Sequence, residues 1–375
     1  MDINTNVLKN EEKAIFKLRQ LYGKYGYAQY KMSKFEEYDL YVRNKDFLVS
    51  DSVITFTDTN GKLLALKPDV TLSIIKNTKD EGNYVKKVYY NENVYRISKG
   101  SHSYKEIMQS GLECIGAIDI YNIYEVLMLA AESLVSISND CVLDISHLGI
   151  LSDVIDNIGI SDENRKNILK CASEKNTHEI YNICKSENIP DDKCEILKKL
   201  VLTYGDPKKV IKTLEESISS YTSKDKIEEL KTIAENLEAN GYGKYIRIDF
   251  SVINDMNYYN GIVFKGFINS IPTGVLSGGQ YDKLMQKMGR RSGAIGFAVY
   301  LDMLERFNET EKTFDIDTII LYKDGDDLNS LNDAIKMLTD NGKSVMAQKS
   351  VPCDIKYKQL LKLNDKGVII IENHA

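Results

Sequence analysis

The chain has 375 residues, 43% of them hydrophobic, which is material for about two or three domains with a sizeable core. A net charge of −6 with 28% charged residues argues against a surface built to grip nucleic acid broadly. Cysteines at 114, 141, 171, 184, 194 and 353 and histidines at 102, 147, 178 and 374 form no CxxC pair and no metal-ligand spacing, which points to reduced thiols and no metal site. No apolar run approaches the roughly 20 residues of a membrane span, and the N-terminus lacks a charged-then-apolar signal pattern, so a cytoplasmic protein is expected.

In chain order, residues 8–26 read as an amphipathic helix with Leu8, Ile15, Phe16, Leu18, Leu21 and Tyr22 on its apolar face. "GYAQYKMSKFEEYDLY" follows as a strand and a short helix. "DSVITFTDTNGKLLALKPDVTLSII" predicts a hairpin turned at Asn60-Gly61, then a helix after Pro68. Two strands over 84–97 and 106–117, a helix over 121–138 and the strand "CVLDISHL" come next. From 149 to 240 the pattern turns helical and polar, which predicts a helical insertion. Strands resume in "KYIRIDFSV", "NGIVFKGFI" and, after "LSGGQYDKLMQKMGRRSG", in "AIGFAVYLDMLERF". A mostly antiparallel sheet split by a helical insert makes residues 1–308 an α+β domain. Residues 313–375 read as a small α/β domain with a parallel sheet: strand "DIDTIILYK", helix "DLNSLNDAIKMLTDNG", strand "KSVMAQ", helix "DIKYKQLLKLND" and strand "GVIIIEN".

Four segments carry the chemistry: "LALKPDVTLSI" (64–74), "YRISKGSHSYKEIMQSGLECIG" (95–116), "NDMNYYNGIVF" (254–264) and "SGGQYDKLM…GAIGFAVYLDML" (277–304). Gln109 and Glu113 stand four apart on one predicted strand, so both point to one face. Carboxylates suit an amino acid's ammonium, which selects Asp69 and Glu113, helped by Thr71 and Gln109. Tyr258, Tyr259 and Tyr281 can hold a side chain by shape and hydrogen bond. Each residue has a plainer role beside this one. Asp69 after Pro68 fits a helix N-cap, Glu113 fits a lysine partner at a sheet edge, and Gly278-Gly279 alone fits a turn. The tyrosine pair fits core packing, with its two members on opposite strand faces.

Together, in this order, the four segments resemble the catalytic domain of class II aminoacyl-tRNA synthetases, and specifically histidyl-tRNA synthetase, over residues 8–308. The resemblance implies that fold, an antiparallel sheet with flanking helices and a helical insertion. It also implies that Asp69, Thr71, Gln109, Glu113, Tyr259 and Tyr281 surround a histidine-like ligand, and that Arg96 matches the arginine of the second motif. The nucleotide-handling residues depart from the family. Its third motif ends in an acidic residue, arginine and leucine, and here Asp302-Met303-Leu304 stands in that place. Asn254 replaces a further arginine, Ser103 and Lys105 replace arginines of the second-motif loop, Ser33 lies near the place of the first-motif proline, and Lys67 stands where the family has arginine. The C-terminal domain is short for an anticodon-binding domain and carries eight lysines against ten acidic residues, which argues against tRNA as a partner.

One branch of the family fits a retained amino-acid half beside an eroded ATP half: the regulatory subunits of short-form ATP phosphoribosyltransferase. The resemblance implies no catalytic residue, no cofactor and a hetero-oligomer with the catalytic subunit, built on a dimer of this chain. It also implies L-histidine as effector in the feedback control of histidine biosynthesis. An active histidyl-tRNA synthetase and a free-standing amino-acid sensor are the alternatives.

Overall fold

The computed structural model describes residues 8–45, 53–79, 84–97, 103–253, 258–304, 314–364 and 367–374. They fall in two units, 1–307 and 308–375. In the first unit, helix α1 (Asn10–Lys24) buries Ala14, Leu18, Leu21 and Tyr22 along one stripe. A two-residue strand, β1 (Ala28–Gln29), follows. Next come β2 (Phe35–Glu37), α2 (Tyr38–Arg43), β3 (Thr55–Thr57) and β4 (Leu63–Leu66). Strands β2, β4 and β3 form a small antiparallel sheet, whose β3–β4 hairpin turns at Asn60-Gly61 with Gly61 at φ 78°. The chain then passes through Pro68 into α3 (Thr71–Lys76).

The long strands β5 (Lys86–Ile97) and β6 (Tyr104–Gly116) pair antiparallel along their whole length. They are followed by α4 (Ile120–Ile137) and β7 (Cys141–His147). At 18 residues α4 is long and apolar enough to cross a membrane, yet most of it is buried inside the unit, where it serves as the core helix. The helical insertion comprises α5 (Leu148–Ile158), α6 (Asp162–Ser173), α7 (Thr177–Ser186) and α8 (Asp191–Leu202), then α9 (Pro207–Ser217) and α10 (Lys224–Ala239). Ser161, Asn176, Asp206 and Ser223 each accept a backbone N–H at the start of their helices, which explains why a polar stretch breaks into helices at these points. Between α8 and α9 the insertion adds a short strand, β8 (Tyr204–Gly205), to the main sheet. The unit closes with β9 (Ile246–Asp249), β10 (Ile262–Ile268), β11 (Leu276–Gln280), α11 (Asp282–Lys287) and β12 (Gly293–Tyr300).

The main sheet runs β1-β5-β6-β12-β11-β10-β7-β9-β8, antiparallel except for the β1–β5 and β7–β9 pairs. Alternation gives it two faces. Tyr89, Leu112, Cys114, Phe264, Ile295 and Phe297 point into one core with α1, α4 and the insertion, where the Tyr22 ring lies 6.0 Å from those of Tyr89 and Phe297. Val88, Tyr90, Val94 and Tyr281 point the other way, into a second cluster with Tyr41, Ala65 and the buried side of α3. Each fully buried Leu or Ile contributes roughly 1.5–3 kcal/mol. "LSGGQ" is a strand at the centre of the sheet rather than a turn. A Cβ at Gly278 would lie 2.5 Å from Phe297 Cβ and 2.6 Å from the Phe264 ring, so glycine is what the crowded core allows there.

The second unit holds β13 (Ile316–Leu321), α12 (Leu328–Asp340), β14 (Val345–Gln348), β15 (Tyr357–Asn364) and β16 (Gly367–Asn373). It departs from expectation twice. "DIKYKQLLKLND" holds strand β15 and no helix, because Leu361 and Leu363 alternate with lysines on a period of two. The sheet, ordered β14-β13-β15-β16, is mixed rather than parallel, since β16 pairs antiparallel with β15.

Candidate ligand-binding site

On the second face of the main sheet, β6 presents Gln109, Gly111 and Glu113 in one row. Glu113 is 2% exposed and sits directly opposite Gly296 of β12, which in turn pairs with Gly279 of β11. A Cβ at Gly296 would overlap Glu113 Oε2, and one at Gly279 would come within 2.7 Å of the Tyr259 ring. At Gly111, a Cβ would stand 2.5 Å from the Tyr90 hydroxyl. Three glycines therefore form a bare floor on which a carboxylate and tyrosine side chains can lie flat.

Both oxygens of Glu113 are taken. Thr71 Oγ1 donates to Oε1 at 2.7 Å, and Tyr281 Oη donates to Oε2 at 2.5 Å. The ring of Tyr258 lies 5.6 Å from that of Tyr281 and 4.6 Å from that of Tyr259. The two adjacent tyrosines do not split across a strand as alternation predicts, because they precede β10, in a turn where the period of two does not apply. Burial pushes the Glu113 carboxyl up to about 8, against the pull of the Tyr281 and Thr71 hydrogen bonds and with help from the charge of Asp69. The group therefore keeps its proton at neutral pH until a cationic or donor partner arrives. Burial likewise drives the Tyr281, Tyr258 and Tyr90 hydroxyls far above the usual phenol value, so they act as neutral hydrogen-bonding groups.

Asp69 takes the capping role expected of it and stands on the same sheet face as Glu113. Its Oδ1 accepts the Leu72 N–H at 2.9 Å, capping the first turn of α3, while its charge is felt by Glu113 and Tyr258 across the pocket. Burial raises its carboxyl, and the Leu72 bond and Arg96 oppose that shift. Gln109 is buried on the Glu113 face, opposite Glu92 of β5 and Tyr300 of β12.

Arg96 marks the other half of the face. Its Nε donates to the Pro68 carbonyl at 3.1 Å, and its charge acts on Asp69, Tyr300 and Asp302. Burial raises Asp302, whose Oδ1 is buried without a hydrogen-bond partner among the described residues. Beside it Met303 is 39% exposed, with its thioether 3.5 Å from Thr273 Oγ1. Asn254 and the tip of the 95–116 loop, with His102, lie outside the described residues.

The structure thus gathers the buried Thr71, Gln109, Glu113, Tyr258 and Tyr281 and the half-buried Asp69 and Tyr259 on one face, with Arg96 beside Asp69. Sequence reasoning singled out Gly279, with Gly278, as a place of close backbone approach, but missed Gly111, Gly296, Tyr90, and the pair of buried Lys67 and half-buried Glu92. The signal for the floor was present: Gly279 and Gly296 face the pocket one strand apart, a relation that appears only once the register is known.

The profile of the family described as histidyl-tRNA synthetase matches residues 1–304. An ATP phosphoribosyltransferase regulatory subunit from Caldanaerobacter subterraneus subsp. tengcongensis is 31% identical over 291 residues, covering 76% of this chain and 75% of that one. One from Bacillus thuringiensis is 28% identical over 341 residues, covering 88% and 80%. Among solved structures, a protein from Bacillus halodurans described as an ATP phosphoribosyltransferase regulatory subunit/histidyl-tRNA synthetase superposes with a TM-score of 0.75 at 23% identity, over 94% of this chain and 93% of that one. A Thermotoga maritima ATP phosphoribosyl transferase complex gives 0.62 at 19% identity, over 78% and 97%, and these two structural likenesses speak for the fold.

Proposed function

Because the chain belongs to the histidyl-tRNA synthetase family, and within it to the ATP phosphoribosyltransferase regulatory subunits, we propose that it regulates rather than catalyses. In this reading it is the non-catalytic subunit of short-form ATP phosphoribosyltransferase in the first step of histidine biosynthesis. It assembles in the cytoplasm as a dimer within a hetero-oligomer, activates the catalytic subunit and transmits feedback inhibition by L-histidine. It needs no cofactor and no tRNA.

One observation supports this reading: Glu113 accepts hydrogen bonds from Thr71 and Tyr281 on a buried sheet face, while Met303 stands where the family has a phosphate-holding arginine. Adenylation develops charge on phosphate that a guanidinium stabilises, and losing one such donor costs about 2.7–4 kcal/mol of transition-state stabilisation. Asn254 removes a second cation, so adenylate formation falls to a level of no use. Amino-acid recognition needs none of those cations.

The test is reconstitution. The catalytic subunit assayed for phosphoribosyl transfer with and without this chain should gain activity and histidine inhibition only in its presence. Equal activity and equal histidine response in both samples would refute the proposal. The purified chain should show no histidine-dependent exchange of pyrophosphate into ATP, and a robust exchange would establish an active synthetase instead.

A further inference from the structure

Lys67 is the largest buried cationic side chain, at 0% exposure, and its Nζ meets Glu92 Oε2 at 2.6 Å. Glu92 pairs across the sheet with Gln109, in the row that leads to Glu113. The same short segment is tied to its surroundings by three further bonds: Lys67 N–H to the Lys34 carbonyl at 3.1 Å, Tyr95 N–H to the Lys67 carbonyl at 2.9 Å, and Arg96 Nε to the Pro68 carbonyl at 3.1 Å. Two residues beyond Lys67 comes Asp69, and two further comes Thr71, whose hydroxyl lies on Glu113.

We propose that Lys67 is a positioning residue for the pocket: the ion pair of its buried ammonium with the half-buried Glu92 pins residues 67–71 as a strap across β5, presetting Asp69 and Thr71 above Glu113. The inference rests on the amino-acid-binding reading given above. Its logic is that a buried ion pair seldom stabilises a fold more than apolar side chains of the same size would, whereas it fixes a geometry, since stranding either charge is costly. The strap carries two of the groups that would meet the ligand's ammonium, and the Lys67–Glu92 pair is its charged tie to β5. Glu36 and Lys34 also act on the Lys67 ammonium, but the carboxylate in hydrogen-bond contact with it is that of Glu92.

The test uses the full chain, L-histidine as titrant in calorimetry, and thermal unfolding. Lys67→Met should lower both the melting temperature and the affinity, because it leaves Glu92 without its cation. The double variant Lys67→Met with Glu92→Gln removes the stranded charge. It should unfold close to the wild-type temperature yet bind L-histidine at least tenfold more weakly, since the tie is gone. A double variant that binds like the wild type would overturn the proposal while leaving the pocket reading intact. One that loses stability and affinity together would make the pair purely structural and also overturn it. A wild-type chain that binds no L-histidine, alone or in the assembled complex, would remove the pocket reading itself and the proposal with it.

Discussion

The two halves of the second sheet face have opposite characters. Around Glu113 both carboxyl oxygens have a partner and the backbone has been cleared of side chains: Thr71 and Tyr281 hold the carboxyl, and Gly111, Gly279 and Gly296 give it room. Around Arg96 the cation is turned to a backbone carbonyl, Asp302 keeps a buried oxygen without a partner among the described residues, and a thioether replaces a guanidinium. A site undergoing general decay would lose both halves. Burying a carboxyl costs free energy on both sides, but at Glu113 two hydrogen bonds offset that cost, whereas Asp302 Oδ1 has no such offset among the described residues.

The comparison can be broken most sharply at Glu113. Glu113→Ala strands the Thr71 and Tyr281 hydroxyls and, on the proposed reading, removes the group that would meet the ligand, so L-histidine affinity should fall by about 2–5 kcal/mol, some thirty-fold to several-thousand-fold, in calorimetric titration. Gly296→Ala should come close to it, because the new methyl overlaps Glu113 Oε2, with about 1–3 kcal/mol of lost stability in chemical denaturation.

The proton on Glu113 gives the next effect. Below pH 4.5 the group is protonated in the folded and unfolded chain alike. Between 4.5 and about 8 the folded protein retains a proton that the unfolded chain has released, so stability falls as pH rises, by up to about 1.4 kcal/mol per unit. Glu113→Gln lacks this term. Denaturation curves of the two proteins should therefore diverge from pH 5 to pH 8 in favour of the glutamine variant, and parallel curves would show the carboxyl to be ordinary.

Smaller still is Tyr281→Phe, which deletes one hydrogen bond and should weaken L-histidine binding by about 1 kcal/mol. The smallest effect is expected on the other half. Met303→Arg alone should yield no measurable pyrophosphate exchange, because Asn254 leaves a second cation missing. A strong gain would show that half to be one substitution from working.

Much of this was legible before the fold was known. The spacing of Gln109 and Glu113 placed them on one face, and the helical insertion announced itself by its turn to a helical, polar pattern. Strand β15 was misread because a Lys-Leu-rich run of twelve residues satisfies helix propensity while its alternation is set by sheet pairing. The part played by Gly111 and Gly296 and the Lys67–Glu92 pair were invisible for a related reason: both depend on which strands lie side by side, and register is a long-range property.

The most direct test of the central claim is calorimetric titration of the purified chain with L-histidine and then with ATP. L-histidine should bind, lose its binding in Glu113→Ala, and leave ATP without a detectable heat. ATP binding accompanied by histidine-dependent pyrophosphate exchange would contradict the account, as would a chain that ignores L-histidine both alone and in complex with the catalytic subunit.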